Sequence, residues 1–344
     1  MSQGSKPLLG LRVLEMAAIG PVPHLGTILR NLGAEVTVVT RTAPGPYDFL
    51  HSFYAQGKAH EAFDLKDPAD QQRVLALIEN ADVLIEGMRP GVMERLGLGP
   101  EQALEANPDL IYARVTGFGQ SGPFAEDPGH DINYIAQSGA LHAFRRGSAK
   151  PVPPINVVGD FAGGSMHGAI SILAALWGKK SGLPVEQVLD VAMVDGAAAL
   201  LTMPANFTEV LGARTPNVLA NAPFYAVYES ADDGEYVAVG AAEPQFFSQL
   251  LLATGIDFPD DGSRDDPRRW PELAEKLAAA FRTKSRAEWA QIGHQTGACL
   301  SAVWSLEESE SDPHMRHRID RQRELGATGG ALHPSLYRTS PLAH

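Results

Sequence analysis

The sequence is poor in cysteine, in positive charge and in long apolar runs, and each shortage closes off a class of protein. Its one cysteine, Cys299, has no partner in the chain, which excludes the disulfide framework of a small secreted domain and a metal site built from several cysteines. Lys and Arg number 28 against 41 Asp and Glu, a net charge of −13 at pH 7. Such a field repels phosphate backbones and anionic membrane surfaces unless cations gather locally, so nucleic acid is not an expected partner. No apolar run approaches the ~18 residues that a membrane helix needs, and the first residues, MSQGSKPLLGLRVLEM, lack the pattern of a secretory leader. The expectation is a cytoplasmic protein without membrane insertion.

Several catalytic motifs are missing as well. No G-x-G-x-x-G follows the first apolar run, and no G-x-x-x-x-G-K-[ST], H-E-x-x-H or paired cysteines occur, so nicotinamide, nucleotide-triphosphate and zinc-protease chemistry lose their usual signals. In Gly164-Ser165-Met166-His167-Gly168 the serine sits one place too early for a nucleophile elbow. His314 and His317, three apart beside Asp312, lie among Arg316, Arg318 and Arg321 and read as a solvated polar face, not as metal ligands.

What is present is the composition of a folding chain, 44% hydrophobic and 20% charged over 344 residues. That length exceeds what one hydrophobic core usually fills and points to two domains. Leu11–Glu15, Ala34–Val39, Val83–Ile85 and Leu110–Val115 read as buried strands. They are separated by helical patterns at Leu25–Leu32 and, after Asp67-Pro68, at Val74–Ile78. This alternation predicts a parallel sheet with crossover helices, whose ligands bind at the strand C-termini. A long apolar helix follows from Met166 to Trp177, closed by Lys179, Lys180 and Gly182, and Val188–Met193 returns as a strand. Alternation on either side of Asp232-Asp233-Gly234 predicts a β-hairpin over 225–241 that opens a smaller mixed domain. Helices follow at Phe246–Leu252, Leu273–Phe281 and Ala287–Ile292, and the polar stretch Asp257–Arg269 reads as a surface loop.

Chemistry-bearing residues concentrate in two segments, Gly129-His130-Asp131-Ile132-Asn133-Tyr134 and Asn156-Val157-Val158-Gly159-Asp160-Phe161-Ala162-Gly163-Gly164-Ser165, each at the mouth of a helix. Asp131 and Asp160 each suit an ordinary N-cap, and His130 suits a structural histidine. The flanking glycines, Gly129, Gly159, Gly163 and Gly164, point the other way, toward a backbone that a ligand approaches closely.

At these residues the chain resembles the α-methylacyl-CoA racemases, a branch of the CaiB/BaiF (class III) CoA-transferase superfamily. The blocks LGLRVLEMAAIGPVPH, ADVLIEGMRPGVMERLGLGPE, GHDINYIAQSGAL, VVGDFAGGSMHGAISILAALW and YVAVGAAEPQFF carry the likeness, which runs from about Leu8 to about Arg318. The resemblance implies an α/β fold with a Rossmann-like large CoA-binding domain over 1–205, to which a tail, 325–344, returns. It also implies a smaller α+β domain over 206–324 and an interlocked homodimer whose active site joins the large domain of one copy to the small domain of the other.

The resemblance makes His130 and Asp160 a proton-transfer pair, with Asp131 orienting or charge-balancing His130, and matches Glu243 to a small-domain glutamate that approaches the pair across the dimer. Asp160 is shared with transferases, where it accepts the acyl group, whereas His130 stands where transferases carry an aromatic residue. Inverting a carbon next to a thioester needs an acid/base group on each face. It also needs donors for the enolate oxygen, for which the amides of Asp160 to Gly164 are the candidates. For CoA, the resemblance names Arg41, Arg89 and Arg95 as phosphate partners, Leu65 and Glu86 as contacts of the adenosine end and Tyr134 as a contact of the pantetheine arm. CoA enters as part of the substrate, so no separate cofactor and no metal are expected.

The likeness breaks at Gln56–Phe63, where relatives carry a basic residue for phosphate, and at Cys299–Val303; both changes bear on the substrate. Two other readings stand beside the racemase: a CoA-transferase with Asp160 as nucleophile, and a non-catalytic binder of CoA thioesters.

Overall fold

The computed structural model describes residues 6–43, 45, 48–211 and 218–324. Those residues divide into two compact units. One is formed by the described residues of Met1–Leu141, Pro153–Leu201 and Arg316–His344, the other by those of His142–Val152 and Thr202–Met315. The expected return of the tail, 325–344, lies outside the described residues.

The first unit is built on a six-stranded parallel sheet: β1 (Arg12–Met16), β2 (Glu35–Arg41), β3 (Ala59–Phe63), β4 (Val83–Glu86), β5 (Ile111–Thr116) and β6 (Val188–Ala192), in the order β3-β2-β1-β4-β5-β6. Strands β4 and β5 are buried along their whole length, as an all-parallel sheet covered on both faces requires. Val13, Val83, Ile85 and Ala113 pack on one face with α1 (Pro21–Asn31) and the long helix after Asp160, here α4 (His167–Lys180). Leu14, Met16, Leu84 and Tyr112 pack on the other with α2 (Pro68–Ile78). The Asp67-Pro68 start of α2 works as read: the Asp67 carboxylate accepts from the Ala69 amide at 2.9 Å, satisfying one of the orphan donors of the first turn.

The order in which strands are added reverses between β1 and β4, and at such a switch point the loops leaving neighbouring strands part and leave a crevice at their C-terminal ends. Two further helices border it, α3 (Asp131–Gln137) and α5 (Met193–Ala199). Between them the segment Val157–Met166 winds as a π-helix that runs directly into α4.

The second unit has its own core, with Phe224, Phe247, Trp270, Leu277, Phe281 and Trp289 all buried. Its antiparallel sheet is β7 (Tyr225–Glu229), β8 (Tyr236–Gly240) and β9 (Leu300–Ala302). The hairpin is as read, with Tyr225 opposite Gly240 and Glu229 opposite Tyr236. The sheet packs with α6 (Pro244–Thr254), α7 (Trp270–Phe281) and α8 (Arg286–Thr296). The stretch expected as a surface loop holds two single 3-10 turns and buries Arg264. The Arg264 guanidinium lies over the Phe224 and Phe247 rings and donates to the Ala242 carbonyl at 2.9 Å.

Candidate active site

The crevice at the switch point is a cavity of about 590 Å³. Its walls come from the loops after four strands: Ile19 to Val22 after β1, Gly87 to Pro90 after β4, Thr116 to Phe118 at the end of β5 and Met193 after β6. Gly129, His130, Asn133 and Tyr134 close one side, Asn156 and Asp160 another. The two segments singled out in the sequence, 27 residues apart at their first positions (156 − 129), therefore face one space.

His130 is the exposed residue that enters α3, and its amide donates to Asn133 Oδ1 at 3.1 Å. This local link fixes the backbone of His130 and leaves its ring on the cavity wall. Tyr134, one turn on, is buried; its hydroxyl donates to the Gly129 carbonyl at 2.5 Å, and its ring meets Phe118 edge-on at 5.0 Å. Burial, together with the charges of Asp160 and Asp131, pushes the phenol up to about 12, so the hydroxyl remains a donor throughout the neutral range.

Asp160 sits in the first turn of the π-helix, a helix form that concentrates at functional sites. Its carboxylate accepts from Asn156 Nδ2 at 3.1 Å and lies against Gly20, where a Cβ atom would come 3.2 Å from Oδ2. Gly20 has φ 71°, in the left-handed region, so that turn needs glycine twice over. Burial is the main influence holding the Asp160 carboxyl above the ordinary range, the Asn156 hydrogen bond opposes it, and the Asp131 charge adds to it while His130 subtracts. An acid kept protonated to higher pH can give a proton as well as take one.

Asp131 turns its carboxylate toward the π-helix. Its Oδ2 accepts from the backbone amides of Gly159 at 2.6 Å and Asp160 at 2.8 Å. A capping carboxylate was the plain reading of Asp131, but the donors it satisfies belong to the π-helix about thirty residues away, not to its own helix. Of the amides expected to serve the enolate oxygen, the Asp160 amide is already committed to Asp131. The glycines are corrected in the same way. A Cβ at Gly159 would lie 2.8 Å from Asp131 Oδ2, one at Gly163 2.7 Å from the Met193 carbonyl oxygen, and one at Gly164 2.9 Å from Pro21 Cβ. They let the π-helix press against α3, α5 and α1, and do not open the backbone to a ligand.

The residues expected at CoA separate. Arg89 lines the cavity, exposed and without an ion pair among the described residues. Arg41, at the end of β2, and Arg95, at the end of the short helix Val92–Arg95, are exposed outside the cavity lining. Leu65 packs on the core that contains Leu14 and Val74. Glu86, expected at the adenosine end, is 0% exposed: Oε1 accepts from Arg114 Nε at 3.0 Å and Oε2 from the Met88 amide at 2.6 Å. Burial raises its carboxyl despite these partners. Both oxygens are occupied inside the fold, because the last residue of a strand buried on both faces has nowhere else to turn. Glu243 belongs to the second unit, where it is exposed ahead of Pro244 in α6 and its carbonyl accepts from the Phe247 amide at 3.0 Å.

Sequence reasoning assigned no role to Asn156 or to the Gly20-Pro21 wall. The spacing of Asn156 and Asp160, four apart, was the available signal for the first. Nothing local marks the second. Among the described residues no group of three or more His, Cys, Asp or Glu could hold a metal ion, and no helix is long and apolar enough to cross a membrane.

The cavity at the C-terminal edge of this doubly wound sheet thus carries His130 and Asp160 on its wall. The chain belongs to CoA-transferase family III, whose model matches residues 8–332. Within it, the chain is 41% identical over 341 residues to the alpha-methylacyl-CoA racemase of Mus musculus, covering 97% of this chain and 86% of that protein. It is 41% identical over 319 residues to the alpha-methylacyl-CoA racemase of Homo sapiens, covering 90% and 81%. It is also 31% identical over 338 residues to the probable fatty acyl-CoA transferase Rv3272 of Mycobacterium tuberculosis, covering 88% and 84%. A crystal structure of Rv3272 matches the fold with a TM-score of 0.76 at 29% identity, covering 92% of this chain and 88% of that one.

Proposed function

We propose that this chain is an α-methylacyl-CoA racemase, which interconverts the 2R and 2S epimers of 2-methyl-branched acyl-CoA thioesters. The observation that carries the reading is that His130 and Asp160, supplied by different elements, line one cavity while the Asp160 carboxyl is held above its ordinary range. The 41% identity to two proteins named for this activity supports it.

In one direction neutral His130 takes the α-proton, the electron pair of the broken C–H bond moves onto the thioester oxygen as an enolate, and protonated Asp160 returns a proton to the opposite face. In the other direction the roles exchange. Each positioned group contributes about 10² to 10⁴-fold. Arg89 meets the phosphate-bearing part of CoA nearest the cavity, with Arg41 and Arg95 serving charges further out, and Tyr134 borders the pantetheine arm. CoA is part of the substrate, and the reaction needs no other cofactor. The enzyme works in the cytoplasm, in fatty acyl metabolism, as a homodimer in which Glu243 of one copy hydrogen-bonds the acid/base pair of the other.

The test is incubation of a single 2-methylacyl-CoA epimer in D₂O, following α-deuterium and stereochemistry for wild type, His130→Ala and Asp160→Ala. Exchange with epimerisation in wild type, lost in both variants, is the expected result. The transferase reading rests on Asp160, a carboxylate on the cavity wall, and on relatives such as Rv3272. No exchange with several acyl-CoAs, together with an acyl-enzyme trapped by hydroxylamine, decides for it.

A further inference from the structure

Beneath α1, outside the cavity lining, lies a charged pair to which the chemistry above gives no role. Glu15 is on β1 and shares the sheet face of Val13, the face covered by α1. Lys58 arrives from the loop before β3, and its Nζ donates to Glu15 Oε2 at 2.6 Å and to the Pro23 carbonyl at 2.8 Å. The two side chains are 1% and 2% exposed. Gly26 leaves the room they occupy, because a Cβ there would fall 1.9 Å from Glu15 Oε2. Taking both ions out of water costs several kcal/mol each, and an apolar pair of similar volume usually serves stability as well or better. Stability alone therefore does not account for the arrangement.

Geometry gives the account. Pro23 and Pro21 are in the first turn of α1, the turn that carries Gly20 against the Asp160 carboxylate. Lys58 grips the Pro23 carbonyl from below, and the buried Ser165 hydroxyl grips the Pro21 carbonyl from the π-helix at 2.9 Å. On the same turn, the His24 ring meets that of Phe161, the residue after Asp160, at a tilt with centroids 4.9 Å apart, and that of Tyr54 edge-on at 5.8 Å. Burial and the neighbouring Lys58 charge push the His24 pKa down, so that ring stays neutral.

We propose that Glu15 and Lys58 are a positioning pair for the reaction: through Pro23 they hold the Gly20 wall and the His24 ring against the Asp160 segment, and so keep that carboxyl shielded from water. The proposal deepens the racemase reading and rests on it for its kinetic consequence. Its structural consequence can be read without activity, in the titration of Asp160. The titratable groups around that carboxyl are His130 and Asp131 from the α3 segment, Tyr134 on α3 and Tyr54 from the 3-10 segment Asp48–Tyr54; those around the pair are His24 and Arg30.

The experiment compares wild type with Lys58→Met, Glu15→Gln and the uncharged double variant Glu15→Met/Lys58→Met. It measures the Asp160 midpoint by carboxyl-carbon NMR, assigned with Asp160→Asn, and kcat and KM for deuterium exchange. Loosening the wall admits water and removes part of the burial that raises Asp160. The midpoint is therefore expected to fall toward the ordinary aspartate value, and kcat to drop by about 10²-fold, the loss typical of a misplacement near 1 Å, with KM changed much less. A folded double variant with the wild-type midpoint and kcat overturns the proposal, as does a loss confined to thermal stability. If Lys58→Met does not fold, the double variant, which leaves no unpaired buried charge, decides. If wild type shows no exchange, the racemase reading fails, and the Asp160 midpoint still decides whether the pair positions it.

Discussion

Replacing Asp131 separates two accounts of that carboxylate. Only Oδ2 has hydrogen-bond partners among the described residues, and Oδ1 is buried without one, so its stabilising work passes through the Gly159 and Asp160 amides. Asp131→Ala strips a charged acceptor from both donors at a position 4% exposed. Hydrogen bonds to charged groups contribute about 1.5 to 3 kcal/mol each, so the loss should reach about 3 to 6 kcal/mol, a large share of the ~5 to 15 kcal/mol that holds a domain together. Asp131→Asn keeps an acceptor oxygen and loses only the charge, roughly halving each bond, for a loss of about 1.5 to 3 kcal/mol. Urea unfolding at pH 7 and one fixed protein concentration measures both. In the active fraction, the limb of the pH–rate profile that belongs to Asp160 should move to lower pH, since the Asp131 charge is one of the influences raising that carboxyl. Alanine and asparagine variants equal to each other and within about 1 kcal/mol of wild type would refute the capping account. A loss of kcat with unfolding stability unchanged would instead support an orienting role for Asp131 at His130.

Further outcomes follow from the same geometry. Glu86→Ala should cost about 3 to 5 kcal/mol in thermal or urea unfolding, because Arg114, 8% exposed, loses a buried partner; its KM for acyl-CoA should stay at the wild-type value, whereas an adenosine contact would raise it. Gly196→Ala places a Cβ 2.1 Å from the Gly163 carbonyl oxygen, and the overpacking should lower stability by about 1 to 3 kcal/mol or more, seen as a reduced Tm. Tyr134→Phe removes the donor to the Gly129 carbonyl; it should cost about 1 kcal/mol and lower kcat through the adjoining His130. With that phenol pushed up to about 12, wild type should show no limb from Tyr134 below about pH 10. For Asp160 itself, a carboxyl raised in the folded state binds more protons there than in the unfolded chain, so stability is lost as pH climbs from the unfolded pKa through the folded one. Asp160→Asn should therefore raise Tm at pH 7 while abolishing exchange, and a fall in Tm would contradict that sign.

Much of the architecture is legible because buried parallel strands are written as short apolar runs: β1, β2, β4, β5 and β6 all declare themselves, as does the hairpin of β7 and β8 through its alternation around Asp232-Asp233-Gly234. The strands that escape are those whose stability comes from elsewhere. Strand β3, AHEAF, is exposed at four of five positions and forms because the edge of β2 offers it a ladder from Thr37 to Arg41. Strand β9 is three residues long and exists by pairing with Val237 to Val239. The π-helix is not legible: the stretch 156–165 reads as the mouth of a helix that starts at Met166, because a glycine-rich stretch carries no helical periodicity.

The site divides along the same line. His130, Asp160, Tyr134 and Arg89, all singled out in the sequence, line one cavity. Asp131, the glycines and Glu86 have contacts that no motif signals, because their partners are distant in sequence: an amide pair about thirty residues on, helix walls on three sides, and an arginine one strand over. A motif reports that a carboxylate or a glycine is required, and only the packed structure says which neighbour requires it. The consequence is that these residues should separate in experiment. Substitutions at His130 and Asp160 are expected to remove turnover from a fold that still forms, while those at Asp131, Glu86 and Gly196 weaken the fold, and a Tm series over the five positions set beside their kcat values would show the division or dissolve it.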